Sequence, residues 1–148
     1  MVLSFKLKRF NALSLSELYQ ILQLRSEVFV VEQNCIYQDI DGKDEKALHL
    51  IGTWKDEIVA YVRIFKPCDY FEEASIGRVV VKQKYRDRKW GYDLMQKAIE
   101  VTKSELNETN ITISAQLYLQ RFYENLGFVK TSEVYLEDDI EHIQMKRK

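Results

Sequence analysis

Residues 76–100 read IGRVVVKQKYRDRKWGYDLMQKAIE, and this stretch decides the fold. It opens with an apolar β-branched run, continues through a basic turn and ends in a segment whose apolar residues recur at helical spacing. Five basic residues against one Asp give positions 82–89 a net charge of +4. The first turn of a helix has unpaired backbone N–H groups and a partial positive charge, so it favours an anion. The stretch therefore predicts a strand, a phosphate-sized loop and a helix.

Length and composition restrict the classes of protein that fit the chain. The 148 residues suffice for one domain spanning 1–148 with a sizeable core. A net charge of -1 argues against a general nucleic-acid binder, which carries a basic face. No window approaches the roughly 18 consecutive apolar residues of a membrane span, and no secretory signal opens the chain, so we expect a cytoplasmic protein without membrane contact. Cys35 and Cys68 lack metal-ligand spacing, and we expect no metal.

The remaining chain supplies strands and helices on both sides of this stretch. A capping box at Ser14 and Glu17 predicts a helix that continues to about Val31. An acidic segment at 32–45 predicts a long loop. The other predicted strands cover 5–10, 48–54, 58–65, 111–115, 128–135 and 140–146. Another helix is predicted at 117–126. This order favours an α/β sheet with helices packed on it.

Two motifs resemble those of the GNAT family of N-acetyltransferases. In that family an Arg or Gln, two variable residues, Gly, one variable residue and Gly or Ala form the loop that holds the pyrophosphate of acetyl-CoA. Positions 86–91 match this pattern with Lys89 in place of the first glycine. Positions 123–128, YENLGF, match the family's second motif, a Tyr followed by Gly-Phe. Residues 24–35 and 37–42 further resemble the ElaA-like branch of the family.

The resemblance implies a fold, a reaction and a co-substrate. The expected fold is a single domain with a mixed, mostly antiparallel sheet, flanking helices and a splayed central strand pair. The expected reaction is transfer of an acetyl group from acetyl-CoA to a small-molecule or peptide amine by direct attack in a ternary complex, and a homodimer is left open. The residues expected to bind acetyl-CoA are Val79, Val80, Val81, Arg86, Asp87, Arg88, Lys89, Trp90, Gly91 and Gln116, the last standing where many members carry Asn.

Tyr123 is the candidate general acid, because the thiolate of CoA needs a proton as it leaves. A phenol has a pKa of about 10 and a thiol of about 8.5, so direct donation is uphill by about 2 kcal/mol. Developing charge or hydrogen bonding could offset that amount. The alternative is that Tyr123 only packs against its neighbours.

The acceptor side has several candidates. Glu32 and Asp41 are candidate general bases, and Asp39 is a candidate ligand for the acceptor. Arg63 and Arg78 interrupt otherwise apolar strands, and a buried guanidinium needs a partner. They either bind an anionic acceptor or pair with the carboxylates of the 32–45 loop.

Two other functions remain open from the sequence. A non-catalytic module for acyl-CoA binding or sensing would keep the loop but lack a working base. An RNA or DNA contact through residues 82–89 would show a steep salt dependence, although the near-neutral total charge makes it the weakest alternative.

Overall fold

The computed structural model describes residues 2–148. Helices α1, α2 and α3 cover Leu15–Arg25, Trp90–Leu106 and Gln120–Glu124. The strands, β1 to β8 in chain order, are Ser4–Arg9, Leu48–Trp54, Glu57–Phe65, Ala74–Val81, Ile111–Gln116, Val129–Lys130, Tyr135–Glu137 and Ile140–Arg147. Short 3-10 turns cover Phe10–Ala12, Asp44–Lys46, Gln83–Arg88 and Leu117–Leu119.

The strands form one sheet in the order β1-β2-β3-β4-β5-β8-β6, with β7 also paired to β8. Every pairing is antiparallel except that of β4 with β5. These two parallel strands pair only at Ala74 with Ile111 and at Ser75 with Thr112, and then diverge. The expected mixed, mostly antiparallel sheet with a splayed central strand pair is therefore confirmed.

A β-bulge in β4 lies at the point where the two strands diverge. Gly77 is opposite Arg63 and Val80 is opposite Tyr61, so two residues of β4 face one residue of β3. One of the two, Arg78, has a φ of 52°. A bulge bends its strand and redirects the side chains around it, which turns the end of β4 away from β5.

The helices cover both faces of the sheet because the central strands are apolar on both sides. Leu94, Met95 and Ala98 of α2 are fully buried on one face. Ile21 and Leu24 of α1 pack on the opposite face, over central residues of β2 and β3. This double coverage matches the nearly continuous burial along β3.

The first helix departs from the predicted range. The α-helix ends at Arg25, and Ser26–Glu32 continues it as a π-helix. There the N–H groups of Gln33 and Cys35 donate to carbonyls five residues earlier, at 3.1 and 3.0 Å. Wider turns of this kind are frequent at functional sites.

Two predictions for the C-terminal third, one helix and one strand, differ from the structure. The predicted helix 117–126 is a 3-10 turn followed by the five-residue α3, and no side chain caps its start. The predicted strand 128–135 is two short strands, β6 and β7. The Ser132 hydroxyl accepts the N–H of Gln144 at 2.8 Å, so a side chain takes a ladder bond and interrupts the strand.

Candidate active site

A cleft of about 500 Å³ opens where β4 and β5 diverge. Beyond Ser75 the edge of β4 that faces β5 has no strand partner, so its backbone groups face the cleft. The cleft runs from the start of α2 to the hairpin of β7 and β8, and the π-helix and α3 supply its walls. It thus joins a helix N-terminus, an unpaired strand edge and the C-terminal hairpin.

One end of the cleft is suited to an anion. The α2 helix begins at Trp90 without a capping side chain, so its first N–H groups have no side-chain acceptor. Lys89 and Arg86 line the cleft beside it. Gly91 lies in the first turn, and a Cβ there would stand 3.5 Å from the ring of Phe122. The residues present therefore fit a diphosphate group approaching the backbone closely.

Lys89 holds an unusual backbone conformation at this end. Its φ of 59° and ψ of 23° lie in the left-handed region. Glycine adopts this region without steric cost, whereas a residue with a Cβ does not. Lys89 thus replaces the first glycine of the motif at a position where the backbone conformation favours glycine.

The centre of the cleft combines the β4 backbone with polar side chains from two other elements. Val79, Val80 and Val81 line one wall. Opposite them, Gln116 at the end of β5 accepts a hydrogen bond from the Gln33 amide at 3.3 Å. This pair bridges the π-helix and β5.

Tyr123 lies in the wall formed by α3. It is 6% exposed, and its ring makes edge contacts with Phe122 and Phe128 at centroid distances of 5.0 and 5.9 Å. No hydrogen bond to its hydroxyl occurs within residues 2–148. Burial raises the pKa of Tyr123 well above its ordinary range, so the phenol stays protonated at neutral pH. The side chain is both packed in the core and exposed to the cleft.

A closed ring of alternating charges lies behind the acceptor end. It consists, in order, of Arg25, Asp39, Arg78, Asp41, Arg63 and Asp44, and closes back on Arg25. Its nitrogen–oxygen distances run from 2.6 to 3.4 Å. The ring ties α1, the acidic loop, β3 and the bulge of β4 together. The prediction that the strand arginines pair with the loop carboxylates is confirmed by these contacts.

The ring keeps two of its carboxylates, those of Asp41 and Asp44, ionised and paired. Burial alone would raise the pKa of Asp41, but the hydrogen bonds and charge of Arg63, with the charge of Arg78, hold that pKa well below its ordinary value. The pKa of Asp44 is lowered by Arg25 and Arg63 against the same effect of burial. A carboxylate with so low a pKa is a weak base. Asp41 is therefore poorly suited to remove a proton from an amine.

The chain that forms this cleft is similar in sequence to known proteins. A family model described as an acetyltransferase (GNAT) domain matches residues 15–148. The chain belongs to the GNAT family. The protein ElaA of Escherichia coli (strain K12) is 48% identical over 139 residues, which cover 93% of this chain and 91% of ElaA. The resemblance of this GNAT chain to the ElaA-like branch is thereby confirmed.

Solved structures of other proteins superpose on this GNAT chain over almost its whole length. An acyl-CoA N-acyltransferase from Pseudomonas aeruginosa is 42% identical with a TM-score of 0.94, covering 99% of this chain and 100% of that one. Escherichia coli ElaA is 44% identical with a TM-score of 0.92 over the same shares. An acyl-homoserine lactone synthase, BjaI, solved with SAM and isopentyl-CoA, is 16% identical with a TM-score of 0.79 and shares the fold; the match covers 98% of this chain and 82% of that one.

The structure places the residues of the GNAT loop motif in different surroundings. Arg86 and Lys89 reach the cleft with Gly91. Arg88 instead stacks on the rings of Tyr85 and Trp90, at 4.8 and 5.5 Å. Trp90 is buried in the core, and the Asp87 side chain is 82% exposed. Contacts of all six motif residues with acetyl-CoA stay predictions.

The other predicted acceptor residues are engaged within the protein. Glu32 lines the cleft, and its carboxylate accepts hydrogen bonds from both terminal nitrogens of Arg86, one at 2.9 Å. Arg78 also lines the cleft, whereas Arg63 is 1% exposed and lies behind it with Asp39 and Asp41. Their roles in catalysis or acceptor binding stay predictions.

Several residues of the cleft were not predicted from sequence. They are Gln33, Cys35, Tyr37, Ser114 and His142. A signal was present in β8, where alternation sets His142 on the opposite face from the buried Ile143. The register of β8 against β5, which places this face in the cleft, joins residues far apart in sequence.

Among residues 2–148, no group of three or more His, Cys, Asp or Glu side chains could hold a metal ion. No helix of the described chain is long and apolar enough to cross a bilayer.

Proposed function

We propose that this GNAT protein is an acetyl-CoA-dependent N-acetyltransferase that transfers an acetyl group to an amine by direct attack in a ternary complex. One observation carries the proposal: a single cleft joins the uncapped, cationic start of α2 to the unpaired edge of β4 and to Tyr123. These three features are what a diphosphate, an extended pantetheine arm and a leaving thiolate require. We place the reaction in the cytoplasm.

The first turn of α2, with Lys89 and Arg86, would hold the diphosphate of the co-substrate. Arg86 is 40% exposed and already paired with Glu32, so it would exchange one anion for another. Arg88 and Trp90 would support the loop through their stacked side chains, and Asp87 would stay at its solvent side.

The edge of β4 at Val79, Val80 and Val81 would receive the pantetheine arm. An extended ligand can hydrogen-bond to a free strand edge as an added strand. A backbone N–H of this edge would then polarise the thioester carbonyl, since a fixed N–H dipole stabilises developing negative charge. The Gln116 amide would contact the arm from the opposite wall.

Tyr123 would donate a proton to the leaving thiolate. Its raised pKa makes the phenol a weaker acid in the ground state but keeps it protonated over the neutral range. Donation becomes favourable only as negative charge develops on sulfur, so the interaction stabilises the transition state more than the bound substrate.

The acceptor would be a cationic amine of a small molecule or a peptide. The end of the cleft away from α2 carries the carboxylates of Glu137 and Asp138. This separation of charge would attract an ammonium group to one end and the phosphates of CoA to the other. We infer that Asp39, Asp41, Arg63 and Arg78 hold the wall of this end.

Two solved structures similar to this chain support the transfer of an acyl group from CoA. The Pseudomonas aeruginosa protein, similar over almost the whole chain, is an acyl-CoA N-acyltransferase. The BjaI structure, with the same fold, is that of a CoA-dependent acyl-homoserine lactone synthase solved with isopentyl-CoA.

The decisive experiment measures release of CoA thiol from acetyl-CoA in the presence of a library of cationic, neutral and anionic amines. We expect turnover with one or more cationic amines, and slow hydrolysis in an amine-free control. Saturable acetyl-CoA binding with no release above that control would overturn the enzyme in favour of a binding module. Acetylation of neutral or anionic amines alone would overturn the cationic acceptor.

A further inference from the structure

A connected polar row lies at the acceptor end of the cleft. His142 of β8 is opposite both Gln116 of β5 and Tyr135 of β7, so the three side chains share one face of the sheet. Glu137 lies two residues after Tyr135 and Ser114 lies two before Gln116, which sets both on the same face. Neither Asp41 nor Glu32 is placed to serve as a free base, and this row supplies titratable groups in their place.

The protonation of His142 follows from its partner. Its Nδ1 lies 2.7 Å from the Ile140 carbonyl oxygen, which can only accept a hydrogen bond. Nδ1 therefore carries the hydrogen, and in the neutral imidazole Nε2 has the free lone pair. The residue is 6% exposed yet lines the cleft, so the lone pair is shielded from bulk water.

Glu137 is fixed beside that nitrogen. Its Oε2 is 3.5 Å from His142 Nε2, and its Oε1 accepts a hydrogen bond from the Ser114 hydroxyl at 3.1 Å. The Tyr135 hydroxyl bonds to Ser114 in turn, and the Tyr135 ring stacks on the imidazole at 6.1 Å. The carboxylate thus has one oxygen anchored and one facing the imidazole.

The other charged or titratable groups around the imidazole are few. Asp138 comes from the β7–β8 turn, and Cys35 comes from the loop after the π-helix, where its thiol meets the Asp138 carbonyl at 3.3 Å. Burial, with the nearby charges of Asp138 and Asp139, raises the pKa of Cys35, and burial raises the pKa of Tyr135. Both therefore stay neutral near pH 7. The carboxylate of Glu137 places a negative charge beside His142.

We propose that His142 Nε2 is the general base for the acceptor amine and that Glu137 binds the incoming ammonium group and then pairs with the imidazolium. The assignment rests on the proposed N-acetyltransferase function. The ammonium loses one proton to Nε2, and the neutral amine attacks the thioester carbonyl carbon. The C–N bond forms and the C–S bond breaks as Tyr123 protonates the thiolate. The nitrogen then loses its second proton, which restores the Tyr123 phenol, and the proton held by His142 passes to solvent.

The test compares His142→Gln with the wild-type protein, using the best amine from the library. We expect kcat to fall about a hundredfold, while the Kd of acetyl-CoA stays within about threefold. The wild-type kcat/KM should reach a plateau as pH rises once the base is deprotonated. The variant should lose that plateau, and its rate should rise about tenfold per pH unit as free amine accumulates. A residue with only a packing role would not change the pH profile.

Two further variants keep the test decisive. Glu137→Gln should raise the KM of a cationic amine about tenfold without changing acetyl-CoA binding, and it serves if the His142 variant does not fold. Glu141→Gln is the matched control, because it removes the same charge from the same hairpin on the opposite face of β8 and should leave both constants unchanged. Normal kcat with an unchanged pH profile in His142→Gln overturns this assignment alone. A wild-type protein that turns over no amine overturns the proposed function and the assignment with it.

Discussion

Tyr123 shows how one side chain can serve packing and chemistry together. Its ring is held by two aromatic neighbours, Phe122 and Phe128, while the side chain also lines the cleft. Its hydroxyl makes no hydrogen bond within residues 2–148. The hydroxyl is therefore free to donate a hydrogen bond to a ligand atom in the cleft.

Replacing Tyr123 with Phe separates these two contributions. Phe keeps the ring and its edge contacts but removes the proton, so we expect kcat to fall about a hundredfold or more with little change in the Kd of acetyl-CoA. The melting temperature should stay close to that of the parent, since a hydroxyl without a partner contributes little to stability. Measuring all three quantities on one preparation makes the comparison direct, and a kcat within about threefold of the parent contradicts the role as general acid.

At the scale of elements, α2 is held in left-handed conformations at both ends. Lys89 precedes it with a φ of 59°, and Asn107 follows it with a φ of 54°. Asn tolerates this region better than Lys because its short polar side chain can bond locally. The strain at the start of α2 is thus larger than the strain at its end.

Substituting Gly for Lys89 should therefore have opposite effects on stability and binding. Relief of the left-handed Lys should stabilise the protein by about 1 kcal/mol, while loss of the cation should raise the Kd of acetyl-CoA about tenfold. Urea denaturation and isothermal titration measure the two effects. Asn107→Gly is the matched control, with a smaller gain in stability and no change in Kd. An unchanged Kd in the Lys89 variant would remove Lys89 from the phosphate site.

The features that could be predicted from the sequence are those that depend on residues close together along the chain. The capping box was predicted from two residues, and both of its hydrogen bonds are present, at 2.9 and 3.0 Å. The strand, loop and helix of 76–100 depend in the same way on neighbours along the chain. The row of Ser114, Glu137 and His142 depends on the register between β5 and β8, which lie more than twenty residues apart, and no local pattern encodes that register.

The whole molecule separates its charges although its net charge is -1. Cations gather at the start of α2, and carboxylates gather at the opposite end of the cleft. Most of the remaining buried charge is neutralised inside the ring of three arginines and three aspartates. The two cleft ends therefore present opposite charges to a bound ligand.

Acetyl-CoA should stabilise the entire fold through this cleft. Binding to the native state alone contributes about 2.7 kcal/mol at a ligand concentration of 100 times Kd, which corresponds to roughly 5 to 10 °C in Tm for a domain of this size. A pantetheine analogue without phosphates should produce a much smaller shift at equal concentration, because it cannot use the start of α2. Thermal denaturation with both ligands checks the expectation, and equal shifts would contradict it.

The ring should also set the stability of the protein in acid. Asp41 and Asp44 have folded-state pKa values below the ordinary 3.8, so their contribution is fully present above about pH 5 and is lost as pH falls through the folded values. Asp44→Asn leaves Arg25 and Arg63 short of a partner and should cost about 3 to 5 kcal/mol at pH 7. The variant should lose less stability than the parent as pH falls below 4.

Urea denaturation from pH 7 down to pH 3 tests this expectation. Glu45→Gln is the control, because Glu45 is the exposed neighbour of Asp44 in the same short turn. A cost for Asp44→Asn no larger than that for Glu45→Gln would show that the ring contributes nothing specific.

The closed form of the ring also constrains how descendants of this protein can change. Each member contacts two opposite charges, so any single neutral replacement leaves a surplus charge in the interior. Loss of an arginine together with a neighbouring aspartate restores neutrality, but the intermediate with one change is less stable than either endpoint. Replacement of a charge pair therefore has to pass through a less stable protein or occur at two codons at once. The six positions should change far more slowly in evolution than the exposed residues of the acidic loop.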